Sequence, residues 1–312
     1  MADLLGMAIP LSCRWPLASL AVLCAGLSPA AGGDKPEFTY RTNPTEVRLI
    51  FSAIDQNDHG VATLQASDFA VVDKGFIVRN FQSFNRSDWT KLEIAILVDA
   101  SGSVSPRFRR ETADVLELIS QTTGVPEENL SIFSFNGLRP AQVCAGDCRI
   151  THAADRLPET LAGGLTPLFD TVAFATSFLG RRGDIEAERV LIVFSDGDDT
   201  ISQTSIGNAI DVALKNDVSI YCVDLNQSRS ASQGAAVLYS LSGATGGRYF
   251  APGKSATEAL DSILEGFRAS YTVSYRLPTR ARGFHEIRVL PTHNTKLQFR
   301  ARSGYYYPNY FH

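Results

Sequence analysis

The chain predicts an α/β protein in which a mostly parallel central sheet, with helices on both faces, is inserted between two β segments. Three observations carry this. "LEIAILVD", "RVLIVFSDG" and "VSIYCVD" are near-continuous apolar runs, as strands buried on both faces require. Helical patterns with recognisable starts lie between them. Residues before Lys91 and after Tyr271 read instead as short β pieces, too few on either side for a stable sheet. The two flanks are therefore expected to pair into one small β-sandwich or sheet.

In chain order, "EVRLIFSAI" is the first strand, "DQNDHG" a hairpin turn, and "FAVVDKG" and "IVRNFQSF" complete the N-terminal segment, residues 45–88. "LEIAILVD" opens the α/β unit, residues 89–271. Ser105 and Pro106 then suit the cap and first position of a helix running to about Thr122. "NLSIFSFN" is the next strand and "QVCAG" a short edge strand. Thr151 to Leu161 is a short helix interrupted by Pro158, and "LTPLFDTVAFATSFL" a longer one with Thr166 as cap and Pro167 just inside. After "RVLIVFSDG" come a helix from about Ser205 to Asn216, strand "VSIYCVD", a helix near Ala231 to Ser242, strand "GRYF" and a helix from Ser255 to about Ala269. "YTVSYRL", "HEIRVLP" and "LQFRARSGYYY" supply the C-terminal segment, residues 272–312, expected to pair with 45–88.

Composition bounds function. The chain has 312 residues, 44% hydrophobic and 20% charged, which suffices for a sizeable core. The net charge of −4 comes without any basic run, so no nucleic-acid partner is expected. Residues 1–31 read as a signal peptide. Arg14 precedes the short apolar "WPLASLAVLCAGL", and Ser28 and Ala30 stand where a signal peptidase reads small residues. Asp3 suits that role poorly, so the true start is Met1 or Met7. Residues 32–44 form a mobile arm in this reading, and no stable membrane span follows signal removal. The chain is thus expected outside the cytoplasm, in the periplasm, on the cell surface or in the medium. There Cys144 and Cys148 could form a small disulfide, with a metal pair as the rival, while Cys222 falls in an apolar strand and is buried.

The site is suggested by "ILVDASGSVS". In parallel sheets ligands sit beyond the carboxyl ends of strands. Asp99 offers a carboxylate there, and Ser101 and Ser103 offer hydroxyls around the flexible Gly102. Thr166 follows "AGGL", and Asp196 ends "VLIVFSDG"; both are junctions that could reach the same edge of the sheet. Oxygen donors of mixed charge suit a hard cation. Asp198 and Asp199 read as rim residues, and Asp224 as a strand-end polar residue.

Asp-x-Ser-x-Ser, a distant Thr in a Gly-rich loop and a later Asp in "SDG" resemble the metal-ion-dependent adhesion site of von Willebrand factor type A domains, over roughly residues 91 to 271. "DFAVVDKG", "GGLTPLFD", "SDGDDT", "ATGGRYF" and "ARSGYYYP" further resemble bacterial von Willebrand factor A-related proteins abundant in Acidobacteria. The resemblance implies a Rossmann-like domain holding Mg²⁺, with Mn²⁺ or Ca²⁺ as alternatives. Ser101, Ser103 and Thr166 would give hydroxyls, and Asp99 and Asp196 would bind directly or through water. An open position would take an acidic group of a protein or surface-polymer partner. It implies a binding module and no enzyme.

Other readings fare worse. "GRYFAPGKS" has five residues between Gly247 and Gly253 where the phosphate loop has four, so no nucleotide is expected. "DQNDHG" puts Ala66 where a calcium loop needs its bidentate Glu. A metal-dependent hydrolase or phosphoryl transferase would need a general base or a second metal cluster, and neither is visible. A third reading is a structural protein with a fold-stabilising metal.

Overall fold

The computed structural model describes residues 45–56, 59–87, 92–102, 127–146, 148, 164–182, 187–226, 232–252 and 256–308. The helices expected over 105–122 and 151–161, the signal peptide and the arm lie outside them. Within the described residues the chain is α/β with mixed sheets.

The central sheet is built from β5 (Leu92–Asp99), β6 (Leu130–Phe135), β7 (Ala141–Ala145), β8 (Glu188–Ser195), β9 (Val218–Asp224) and β10 (Tyr249–Phe250). Their order is β10-β9-β8-β5-β6-β7. All neighbours are parallel except the edge pair β6–β7. Every residue of β5, β6 and β8 is buried, the polar Glu93, Ser131, Ser134, Glu188 and Arg189 included, as in strands covered on both faces.

Alternation along β5 assigns the two faces. Ala95 and Leu97 pack with the apolar stripes of α1 (Leu168–Gly180), α2 (Ile206–Lys215) and α3 (Gln233–Thr245). Ile94, Ile96 and Val98 pack with Ala259, Ile263 and Phe267 of α4 (Ala256–Arg268). Ser205 and Ser232 cap α2 and α3, their hydroxyls accepting the backbone N–H of Asn208 and Ala235. Cys144 and Cys148 are joined by a disulfide on the α4 face, and Cys222 is free and buried.

The flanks share two four-stranded sheets. One has the order β13-β1-β11-β4, from β1 (Glu46–Ile54), β4 (Ser83–Arg86), β11 (Ser270–Arg276) and β13 (Gln298–Ala301). The other has the order β14-β12-β2-β3, from β2 (Phe69–Asp73), β3 (Phe76–Val78), β12 (Gly283–Pro291) and β14 (Gly304–Tyr307). Val47, Leu49 and Phe51 of the first meet Phe69, Val71 and Ile287 of the second in one core. Each sheet mixes strands from both ends of the chain. Tyr271 of β11 pairs with Arg86 of β4, so the chain enters and leaves the α/β unit on neighbouring strands. That neighbouring entry and exit lets the unit sit between two paired strands of the sandwich.

Candidate functional site at the carboxyl end of the parallel strands

Strand register sets the site. Asp99 is level with Phe135 of β6, Val98 with Phe194 of β8, and Ser195 with Asp224 of β9. Three polar residues on three adjacent strands, Asp99, Ser195 and Asp224, therefore end the sheet at one height, where the apolar runs stop. Asp99, Ser101, Thr166 and Asp196 are 0%, 2%, 4% and 8% exposed, so all four are withdrawn from bulk water.

Asp99 is held by bonds to both oxygens. Oδ1 accepts the backbone N–H of Ser101 at 2.9 Å, and Oδ2 accepts the Ser195 hydroxyl at 2.7 Å. Burial pushes its carboxyl up to about 6; the bonds from Ser195 and Ser101 oppose the rise, and the charge of Asp196 adds to it. Asp196 Oδ1 accepts the N–H of Asp198 at 3.1 Å in a turn whose Gly197 has φ 83. A Cβ on Gly197 would stand 2.2 Å from the Gly234 carbonyl oxygen, so this turn must be bare backbone.

Thr166 reaches the same turn from another element. Its N–H donates to Thr200 Oγ1 at 2.6 Å, and its carbonyl accepts the Thr200 N–H at 2.8 Å. The start of α1 departs from expectation. The helix begins at Leu168 with Pro167 at the cap position, and Thr166 makes no capping bond. Asp199 serves instead, accepting the N–H of Phe169 at 3.3 Å, with Ser202 bonded to its carboxylate at 2.5 Å. A carboxylate at a helix N-terminus is favoured by the helix dipole. Thr166 is thereby left to the loop that carries Asp196.

The structure thus gathers Asp99, Ser101 and Asp196 at one sheet edge and ties Thr166 to the loop after Asp196; Ser103 lies outside the described residues. Sequence reasoning missed Ser195. Its signal was a hydroxyl at the end of an apolar run, next to an assigned Asp. It also missed the network around Asp224, which accepts Tyr249 O–H at 2.6 Å and Asn226 Nδ2–H at 2.7 Å, while Asn226 also donates to the Asp196 carbonyl at 2.9 Å. Asp224 is occupied as a strand-end brace.

Among the described residues no cluster of three or more His, Cys, Asp or Glu side chains is placed to hold a metal ion. The donor set that is present is all oxygen, two carboxylates with hydroxyls. It fits a hard cation and offers nothing to a soft one. Asp99 adds a second point of fit: a carboxyl raised by burial and by a like charge is one that a cation would stabilise.

No protein-family model matches the chain, and no curated protein matches it. Solved structures that align with it include the manganese-loaded TRAP protein of Plasmodium vivax, at 15% identity, covering 72% of this chain and 98% of the other, with a TM-score of 0.45. An aerotolerance-related membrane protein from Bacteroides fragilis, carrying multiple mutations to serine, aligns at 13% identity over 56% of this chain and 98% of the other, with a TM-score of 0.43. The conserved hypothetical protein BatB from Bacteroides thetaiotaomicron aligns at 13% identity over the same shares, with a TM-score of 0.41.

Proposed function

We propose that the chain is an exported binding module of the von Willebrand factor A type, which captures an acidic group of a partner through a divalent cation. The observation that carries this reading is the set of buried oxygen donors, Asp99, Ser101 and Asp196, at the carboxyl end of adjacent parallel strands, with Thr166 bonded to the same loop. Asp99, Ser101, Ser103, Thr166 and Asp196 would hold the ion, Mg²⁺ first, with Mn²⁺ or Ca²⁺ as alternatives. When bound, the ion supplies a Lewis-acidic position open to an outside carboxylate. Two carboxylates and three hydroxyls leave it less neutralised than a cage of four carboxylates would, which favours an outside anion.

The chain's own residues do the rest. Ser195 and the Ser101 N–H orient Asp99. The Thr200–Thr166 pair and Asp199 at α1 fix the loop opposite. No helix among the described residues is long and apolar enough to cross a membrane. The reading assigns the site no bond-breaking step, no nucleotide and no nucleic acid.

Water-proton relaxation of Mn²⁺ bound to the protein tests this. Acetate or a glutamate-bearing peptide is expected to lower the relaxivity of the bound ion as carboxylate replaces water, and Thr166→Ala is expected to abolish the effect. Relaxivity that stays constant under saturating carboxylate would contradict capture. A metal that raises the melting temperature while no carboxylate touches it would instead favour a purely structural ion.

A further inference from the structure

The sandwich sheet β14-β12-β2-β3 ends at β3, and among the described residues only β2 pairs with it. Exposed edge strands are normally guarded by charge, proline or a bulge. The other edges of the sandwich are more polar: β4 carries Arg86, β13 carries Arg300 and β14 carries three tyrosines. β3 is Phe-Ile-Val, with Phe76 and Ile77 52% and 66% exposed. Lys74, just before it, turns away from the edge: its Nζ donates to the Phe284 carbonyl of β12 at 3.0 Å, on the far side of β2.

The turn before β3 sets which way its backbone groups point. Lys74 and Gly75, at φ 47 and 87, form a two-residue hairpin turn closed by the pair Asp73 and Phe76. The closing pair of such a hairpin exchanges both N–H···O bonds, and the residues after it alternate. Phe76 and Val78 therefore bond to β2, while the N–H and C=O of Ile77 both point to the open side. An edge that offers a donor and an acceptor on one residue takes an extended strand.

The sequence along this edge is complementary to itself. Antiparallel pairing of two copies centred on Ile77 sets Phe76 against Val78, Gly75 against Arg79 and Lys74 against Asn80, so no cation faces a cation. Centring on Phe76 or Val78 would oppose backbone groups already bonded to β2, and centring on Arg79 would set two guanidiniums face to face. Parallel pairing in register would oppose Lys74 to Lys74 and Arg79 to Arg79. The apolar side chains agree with the Ile77 register. Ile77, level with Val72 on the outer face, meets its own copy, and each Phe76 meets Val78 on the inner face.

We propose that β3 is a self-association edge, through which two copies of this chain pair about a two-fold axis, joining two four-stranded sheets into one continuous sheet. Each Ile77 N–H donates to the Ile77 carbonyl of the other copy, and the exposed apolar side chains at the seam leave water. The contact uses the same surface on both copies and so closes at two. The carboxyl-end residues take no part, and the association stands independently of any cation.

The test is sedimentation equilibrium of the purified chain from micromolar to millimolar concentration. The expected result is a mass that rises reversibly from one copy to two and no higher. Ile77→Lys, which opposes two ammonium groups at an exposed position, is expected to raise the dissociation constant at least about tenfold with unchanged circular dichroism. Single cysteines read the register. Ile77→Cys sets two thiols on facing residues with Cα atoms about 5.5 Å apart, within disulfide reach, and is expected to cross-link two copies under mild oxidation. Arg79→Cys sets them roughly 13 Å apart along the strands and is expected to cross-link no more than the parent. A single-copy mass at every concentration overturns the proposal and leaves the edge to a strand from elsewhere. A dimer that Ile77→Lys does not weaken overturns it as well. If Ile77→Lys unfolds, the cysteines decide, and equal cross-linking at 77 and 79 overturns the proposal.

Discussion

Asp99 and Ser195 differ in how they can be found. Asp99 ends an apolar strand at a serine-rich turn, and that chemistry is visible in the letters. Ser195 acts only because strand register sets it beside Asp99, and no local pattern carries a register between strands 96 residues apart. Ser195→Ala is expected to leave the fold intact and weaken cation binding by about tenfold, the worth of one hydrogen bond to a charged group, read by titration calorimetry. Another buried cluster stabilises the sandwich. Asp73 accepts Tyr275 O–H at 3.0 Å and Tyr305 O–H at 2.8 Å, and faces His285 Nδ1 at 3.2 Å, while His285 Nε2 faces the Ala281 carbonyl at 2.6 Å. Both Asp73 and His285 are fully buried. Asp73→Ala leaves the Tyr275 hydroxyl without its acceptor, while the Tyr305 hydroxyl and His285 Nδ1, 3.1 Å apart, still face each other, and urea unfolding is expected to register a loss of about 1–3 kcal/mol.

At the scale of elements, the strands of the α/β unit were legible because they are dominated by apolar residues, and α2 and α3 because they start at Ser caps. β1 and β9 lie where the patterns put them. The start of α1 was less legible. Thr-Pro reads as cap and first turn, yet Thr166 is bonded to Thr200, and Asp199 from a loop 30 residues away takes the helix end. A cap supplied from a distant loop has no local signature. Asp199→Ala is expected to cost about 1 kcal/mol by urea unfolding and to loosen α1 in hydrogen exchange. Gly197 shows a tighter constraint. With φ 83 and the Gly234 carbonyl in the way, Gly197→Ala is expected to cost more than 2 kcal/mol and to weaken cation binding, since the turn carries Asp196.

Across the whole molecule, the pairing of the flanks was readable only as a deduction, since neither could stand alone; the register, β1 against β11 and β2 against β12, came from the structure. Glu188 lies at the start of β8, and charges from both parts act on it. Burial pushes its carboxyl up to about 7; Arg48 of β1 opposes the rise, and Asp217 adds to it. The folded state therefore holds a proton that the unfolded chain releases near 4.5, so this group's contribution to stability is fully present below that pH and is lost as pH rises through about 7. Glu188→Gln is expected to flatten this fall and to be more stable than the parent at pH 8, by on the order of 3 kcal/mol in urea unfolding. Equal slopes against pH in both proteins would refute this placement of the charge.

A hard-cation site at the carboxyl end of β5 and β8 is tested by calorimetric titration of Mg²⁺ into the parent, Asp99→Ala and Thr166→Ala. Saturable binding in the parent, absent in both variants while their circular dichroism is unchanged, is the predicted result. Equal heats in all three, or no saturable binding of Mg²⁺, Mn²⁺ or Ca²⁺ by the parent even with acetate present, would contradict it.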